Sequence, residues 1–428
     1  MSKSLYLLMI LFFMAALGGC NDNEDISVPK ATTYAVKMGG IFPFTGGLTE
    51  FGKSYHQSAL LAIKHLTEAG FSVGWIVADS STDPTIGVDA VRDLIEKGKA
   101  QVIIGAASSG VTMAIAEQIT IPNQVPQISY SSTSPKITDL EDDKNRDFLF
   151  RTAVPDGLQG RVLAKLAFDA GYKRVSVLYV DNPYGQGLNE VFTNRFEELG
   201  GQVVAAAHKE ITGSDLVNNA DARDILLAGL QEAHTGETDA LIAISYSQSV
   251  GVFLPIAIGS PFSQSKFLFT DGIRPKNVIK IEGIDNLDKV CGTIPGTEQT
   301  ESLKIFKESY EDEYGELSDV LYQPNVYDAV VVAGLAAYAA QAIGESITPI
   351  TIRDYLRRVN DSDGQKVIAD EEGLKRAMKM LDSGVTINYE GASGNVDFDG
   401  NGDVLAPIDT WCYEGGEIVY KKNVQPDV

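Results

Sequence analysis

The stretch RVSVLYVDNPYGQGLNEVFTNRFEELGGQVVAAA, residues 174–207, decides the fold. Residues 174–180 form a β-rich apolar run, 181–187 a polar loop and 188–199 an amphipathic helical pattern. Gly200-Gly201 stops the helix, and 203–207 reads as the next strand. Two strands joined through a helix are the building unit of a parallel sheet. Residues 240–245 and 266–270 supply two further strands.

The same plan runs earlier in the chain. Residues 36–42 are a buried-strand run, followed by a polar loop (Thr45, Gly46, Gly47). A helical pattern then starts near Gly52, with Ala59, Ala62, Ile63 and Leu66 on one side. Ala69-Gly70 ends it, and strands are expected at 72–78, 102–105 and 126–130, with a helix over 110–119. The two units match in the order of elements and not residue by residue, so the repeat is structural. The fold class is α/β: two doubly wound parallel-sheet lobes with an interlobe cleft. Ligands of such sheets bind beyond the carboxyl ends of the strands, which singles out the loops after Phe42, Gly105, Tyr130, Val180, Ser245 and Thr270. Helical patterns follow at 323–343, 352–359 and 373–381, and 395–411 reads as strand, turn, strand about Asp399-Gly400-Asn401-Gly402.

The ends set the compartment. Lys3 precedes a nearly unbroken apolar run over 5–17 that closes on Leu17-Gly18-Gly19-Cys20. The run is short for a bilayer span and reads as a signal peptide, residues 1–19. Its ending resembles the bacterial lipobox, which would make Cys20 a lipidated N-terminus and 20–34 a polar tether. The expected location is the periplasm or cell surface, anchored by lipid. The formal charge of −23 argues against nucleic acid and anionic lipid headgroups as partners. An exported chain permits a disulfide between Cys291 and Cys412, but separation in sequence alone leaves their pairing open.

Catalytic and metal signatures fail on spacing. Gly105-Ala106-Ala107-Ser108-Ser109-Gly110 is not a nucleophile elbow, and Thr133, not Ser, stands three before Lys136. His56, His65, His208 and His234 include no helical zinc pair. Gly185-x-Gly187 lacks the third glycine of a dinucleotide loop, where Glu190 stands. Asp397-x-Asp399-x-Asn401-Gly402 begins like a calcium loop, but the closing carboxylate would fall at Ile408, so a turn is preferred. The chain is expected to be no enzyme and to need no metal or cofactor.

The loops resemble the branched-chain amino-acid type of periplasmic binding protein, the receptors of ABC importers. Gly40-Ile41-Phe42-Pro43-Phe44-Thr45-Gly46 with Phe51-Gly52, the segment Ile128-Ser129-Tyr130-Ser131-Ser132-Thr133-Ser134-Pro135, Tyr184-Gly185-Gln186-Gly187, Tyr327-Asp328-Ala329 and 395–404 carry the likeness in order. The resemblance implies two lobes joined by three crossovers and closing by a hinge: 35–152 plus 297–390, and 153–296 plus 391–428. It implies a small ligand, an amino acid or similar polar solute, and an ABC permease as partner. A sensing or envelope-partner receptor of the same fold is the alternative.

Hydroxyls near helix starts suit a ligand carboxylate, and Ser109, Ser132 and Thr133 stand there. Asp271 lies where the family places its ammonium-binding acid, while Tyr184, Tyr246 and Phe51 are placed to cover the ligand. The bland alternatives are helix caps for Ser109 and Thr133, a turn at Asp271-Gly272, and packing for Tyr246 and Phe51. Tyr130-Ser131-Ser132 and the short Asp271 depart from the family pattern and argue against branched aliphatic ligands. Residues 214–236 run longer than the family pattern and suggest a partner-contact insertion.

Overall fold

Strand β1, Val36–Phe42, lies between β2, Val73–Asp79, and β3, Val102–Ile104, in parallel register. In the computed structural model the described residues are 34–209, 220–233, 238–259, 266–273, 275–279, 287, 290–296, 298–315 and 321–425. The signal peptide, Cys20 and the tether up to residue 33 lie outside them, as does His234. Strands β4, Gln127–Ser129, and β5, Leu149–Arg151, complete a parallel sheet of order β2-β1-β3-β4-β5.

The chain then crosses to a second sheet. There β6, Arg174–Asp181, lies between β7, Gln202–Lys209, and β8, Ala240–Ile244; β9, Lys266–Phe269, and β10, Val290–Pro295, follow. The order β7-β6-β8-β9-β10 repeats that of the first sheet, so the repeat read from the sequence is one of topology. Every residue of β8 is buried, as helices on both faces require.

The chain returns to the first lobe through helices Glu301–Tyr314 and Gln323–Ala342. The second packs on helix Thr49–Glu68 with Gly334 against Leu66. A small sheet of β11, Gln365–Ile368, β12, Ile387–Gly391, and β13, Gly394–Asn395, lies in the same region. The last crossing leads to β14, Ile408–Glu414, and β15, Glu417–Val424, which add antiparallel to β10.

Three sequence expectations change. Residues 391–403 stay with the first lobe, because Gly394–Asn395 pairs with β12 and Asp403 pairs with Arg151. The boundary expected at 391 therefore falls after Asp403. Residues 395–411 are no hairpin, since β14 takes β10 and β15 as neighbours. The turn itself is an Asp turn: Asp399 Oδ1 accepts from the backbone N–H of Asn401 at 2.7 Å and of Asp403 at 3.0 Å. Within 214–236, helix Ala220–Ala233 puts Leu226, Leu230 and Ala233 in the second lobe's core, so the added stretch contributes a packed layer; 214–219 and 234–236 lie outside the described residues.

The crossings run through residues 152–156, 295–300 and 404–408, and each contains a proline (Pro155, Pro295, Pro407) that fixes its backbone φ. Thr152 Oγ1 donates to the Asn325 carbonyl at 2.8 Å, and Asn325 Nδ2 donates back to the Thr152 carbonyl at 2.6 Å. Gly296 N donates to the Pro407 carbonyl at 2.7 Å, tying the second crossing to the third. Cys291 and Cys412 sit opposite each other on β10 and β14 and form a disulfide, which resolves the pairing that the sequence left open.

That bond closes a long loop. Cys412→Ser is expected to lower the unfolding free energy by about 2–4 kcal/mol in urea titrations. Reductant should destabilise the parent by a similar amount and leave the variant unmoved. An equal response of both would rule the bond out as a stabiliser.

Candidate functional site

All six loops at the strand ends reach one cleft of about 440 Å³ of atom-free space. Leu48, Phe51 and Tyr55 come from beyond β1, and Ala107, Ser108 and Ser109 from beyond β3. Ser131 and Thr133 follow β4, Tyr184 follows β6, Tyr246 follows β8, and Asp271 with Gly272 follows β9. Both sheets reverse strand order beside their first strand, so two switch points face each other across this space.

The loop expected at 181–187 is mostly helix. Asn182 caps helix Pro183–Glu198, its side-chain oxygen accepting from Gly185 N at 3.1 Å, and Pro183 opens the first turn. Gly185 has no room for a Cβ, which would stand 2.0 Å from the Val180 carbonyl oxygen. Gly187 lets the helix approach Ser134 and Pro135 of the other lobe. These two glycines serve packing, and the helical first turn fixes Tyr184 in the cleft wall.

The Tyr184 hydroxyl donates to Asp271 Oδ1 at 2.9 Å and bonds Thr270 Oγ1 at 2.8 Å; its ring stacks on Tyr246 with centroids 5.8 Å apart. Asn182 Nδ2 donates to the Tyr246 hydroxyl at 3.0 Å. Tyr322 closes the other side, donating to Asp271 Oδ2 at 2.7 Å. Burial and the neighbouring Asp271 push both phenols well above their ordinary pKa, so they remain donors. Phe51 stacks on Tyr55, with centroids 5.7 Å apart.

Asp156, the first residue of helix Asp156–Asp169, is wholly buried. Thr133 Oγ1 donates to its Oδ2 at 2.7 Å, and Asp156 N donates to the Thr133 carbonyl at 2.7 Å. Its Oδ1 is buried without a hydrogen-bonding protein group, and so is Gln159 Oε1 one turn on. Burial raises the Asp271 carboxyl above the usual carboxylate range; burial and the nearby Asp271 charge raise Asp156 further. None of the described lining residues is Lys or Arg.

Of the residues expected from sequence, Ser109, Thr133, Tyr184, Tyr246, Asp271 and Phe51 line this cleft. Ser132 does not. Its hydroxyl donates toward the Ala106 and Ala107 carbonyls (3.2 and 3.1 Å) and meets Thr112 Oγ1 at 2.8 Å, so it holds the loop from behind, and Ser131 takes the lining place. Tyr130 is also turned inward: its hydroxyl donates to the Ile41 carbonyl at 3.0 Å, and its ring lies under Tyr55. Its bulk therefore supports the floor and does not narrow the cleft. Asp156 and Tyr322 were missed. Asp156 directly follows Pro155 and Tyr322 stands two residues before Pro324, prolines at a crossing and a helix start being the one local signal that marks them. Cys20 lies outside the described residues. Among the described residues no cluster of three or more His, Cys, Asp or Glu side chains is arranged to hold a metal ion.

A family model described as the receptor family ligand binding region matches residues 55–414. The chain is 27% identical over 382 residues to the chemotactic signal transduction system substrate-binding protein BasB of Halobacterium salinarum, covering 85% of this chain and 83% of that one. It is 24% identical over 390 residues, 90% of each chain, to the leucine-, isoleucine-, valine-, threonine- and alanine-binding protein of Pseudomonas aeruginosa. Among solved structures, a leucine-binding protein from Thermotoga maritima aligns with a TM-score of 0.71 at 24% identity, over 92% of this chain and 99% of that one. This last likeness shows the fold.

The buried carboxyls carry a pH signature. Their raised pKa means that the folded protein keeps protons which the unfolded chain releases near pH 4, so unfolding free energy falls as pH rises above that point. Asp156→Asn removes one such group and should be more stable than the parent at pH 7 without added solute, the gap closing toward pH 4. Urea midpoints across that range measure it. A variant less stable than the parent at pH 7 would mean that the charge is compensated within the protein.

Proposed function

This chain belongs to the receptor ligand-binding-region family, as a type I periplasmic binding protein of the branched-chain amino-acid group, and on that premise we propose that its lobes close on an α-amino acid. The observation that carries this is the pair of buried acids. Asp271 has each oxygen on one tyrosine hydroxyl, and Asp156 Oδ1 has no hydrogen-bonding protein group. A buried carboxylate needs a cation or several donors, and an ammonium brings both. Gln159 Oε1 adds a further acceptor nearby.

The carboxylate end of the same ligand suits the opposite wall. Ser109 opens helix Ser109–Ile115 and lines the cleft from the first lobe, while the Thr133 hydroxyl beside it is already committed to Asp156. Leu48, Phe51, Tyr55 and Leu321 offer apolar and aromatic surface to a side chain. With no Lys or Arg among the described lining residues, aspartate and glutamate are the poorest candidates.

In the fuller form of the proposal the protein is an extracytoplasmic lipoprotein, held by Cys20, that hands its solute to an ABC permease. A sensing role is the second reading, supported by the similarity to BasB over most of both chains. In both cases the protein acts as a receptor and not as an enzyme.

The test is thermal denaturation of the soluble chain against the twenty amino acids, with mass spectrometry of whatever co-purifies. A ligand at about 100 times its Kd stabilises by about 2.7 kcal/mol through mass action. Neutral amino acids should shift the midpoint most and acidic ones least, and Asp271→Ala should weaken binding by about 2–5 kcal/mol. If no amino acid shifts the midpoint, the proposal fails. Normal affinity in Asp271→Ala would remove the ammonium role from that residue.

A further inference from the structure

We propose that Arg151 is a positioning residue that sets Thr133 for the ligand and couples the ligand loop to the hinge, acting through a buried pair with Asp403. The binding part of this claim rests on the amino-acid reading; the coupling part does not.

Arg151 ends β5 and is 0% exposed. Its Nε donates to Asp403 Oδ1, and its Nη2 donates to Asp403 Oδ2 at 3.0 Å and to Thr138 Oγ1 at 2.5 Å. Its Nη1 donates to the carbonyls of Ser134 at 2.8 Å and Ser132 at 3.3 Å. These bonds use all five N–H groups of the guanidinium. The two carbonyls flank Thr133, the residue whose hydroxyl reaches Asp156 across the lobes.

The acceptors belong to different parts of the machine. Ser132 and Ser134 are the ligand loop, and Asp403 is the last residue before the third crossing. Arg151 itself stands one residue before Thr152, which bonds Asn325 at the first crossing. Its own backbone N–H donates to the Gly402 carbonyl at 2.9 Å. The guanidinium thus joins the loop to the approach of the third crossing, while its own residue adjoins the first.

A buried ion pair is a poor means of gaining stability, because desolvation offsets most of the attraction. It makes sense where a fixed geometry matters. Lysine could neutralise Asp403 but could not grip both carboxylate oxygens in one plane and also bracket two carbonyls. The fork, beyond the charge, is what the site requires.

The experiment compares the full chain with Arg151→Lys, Asp403→Asn and the double variant, by hydrogen exchange without added solute and by calorimetric titration with L-leucine and L-alanine. In each folded variant, exchange should speed up about tenfold in residues 131–136 and 403–406 while 174–180 stays protected. Affinity for whichever of the two amino acids binds the parent should fall about tenfold, and the double variant should be no worse than the poorer single one, because both changes remove one unit. If Arg151→Lys fails to fold, Asp403→Glu, which keeps the charge but shifts the fork, should show the same exchange pattern. Unchanged exchange at 131–136, or single effects that simply add, would overturn the proposal. If the parent binds neither amino acid, that outcome counts against the amino-acid reading, while the exchange result still decides the coupling.

Discussion

Burying a carboxylate is among the most unfavourable steps available to a folding chain, and this site buries two, Asp271 in the cleft wall and Asp156 behind the lining residue Thr133, without a lysine or arginine among the described lining residues. Both acids belong to the second lobe. Each receives a hydroxyl from the first lobe, Thr133 on Asp156 and Tyr322 on Asp271. The two acids therefore stand where the lobes meet, buried there with one first-lobe donor each. A neutral hydroxyl compensates only part of that cost, as the raised pKa of both groups records.

The remaining architecture keeps these meeting points in register. Parallel sheets of the same strand order aim their carboxyl ends at one space, and three crossings carry the chain between them. A proline restricts each crossing, and the Thr152–Asn325 and Gly296–Pro407 bonds tie crossings to their neighbours. The disulfide holds β10, which leads into the second crossing, to β14, which follows the third. Stiff segments bound at both ends hold the two sheets in one register across the cleft.

The layered fold was legible because it is written in local periodicity. Apolar strand runs, amphipathic helices and glycine stops lie within a few residues of one another, and the six strand-end loops follow from them. What escaped depends on partners distant in sequence. Asp156 looks like an ordinary helix-start acid until Thr133 and Asp271 come beside it, and Tyr322 gains its role from Asp271. Ser131 and Ser132 both reach the Ala107 carbonyl, but only Ser132 continues inward to Ala106 and Thr112, and only Ser131 lines the cleft. The hairpin expected at 395–411 failed for a related reason, since alternation marks strands but does not say which neighbour they take. The polar run at 181–187 concealed a helix start, because Asn, Pro and Gly serve both turns and N-termini.

A ligand drives closure only by binding the closed arrangement better than the open one. Away from the cleft floor, polar contacts between the lobes include Ser134 Oγ donating to the Pro183 carbonyl at 2.7 Å, Lys136 to Gln186 at 2.7 Å, and Asn277 to Glu50 at 2.7 Å. Polar bonds of this kind contribute about 1 kcal/mol each, somewhat more where Lys136 or Glu50 carries a charge. An ammonium acts differently. In the open cleft it would meet hydrated carboxylates, where attraction is weak, and between closed lobes it meets desolvated ones, where attraction is strong. On the proposed function, the same burial that penalises Asp156 and Asp271 would give an ammonium its preference for the closed form.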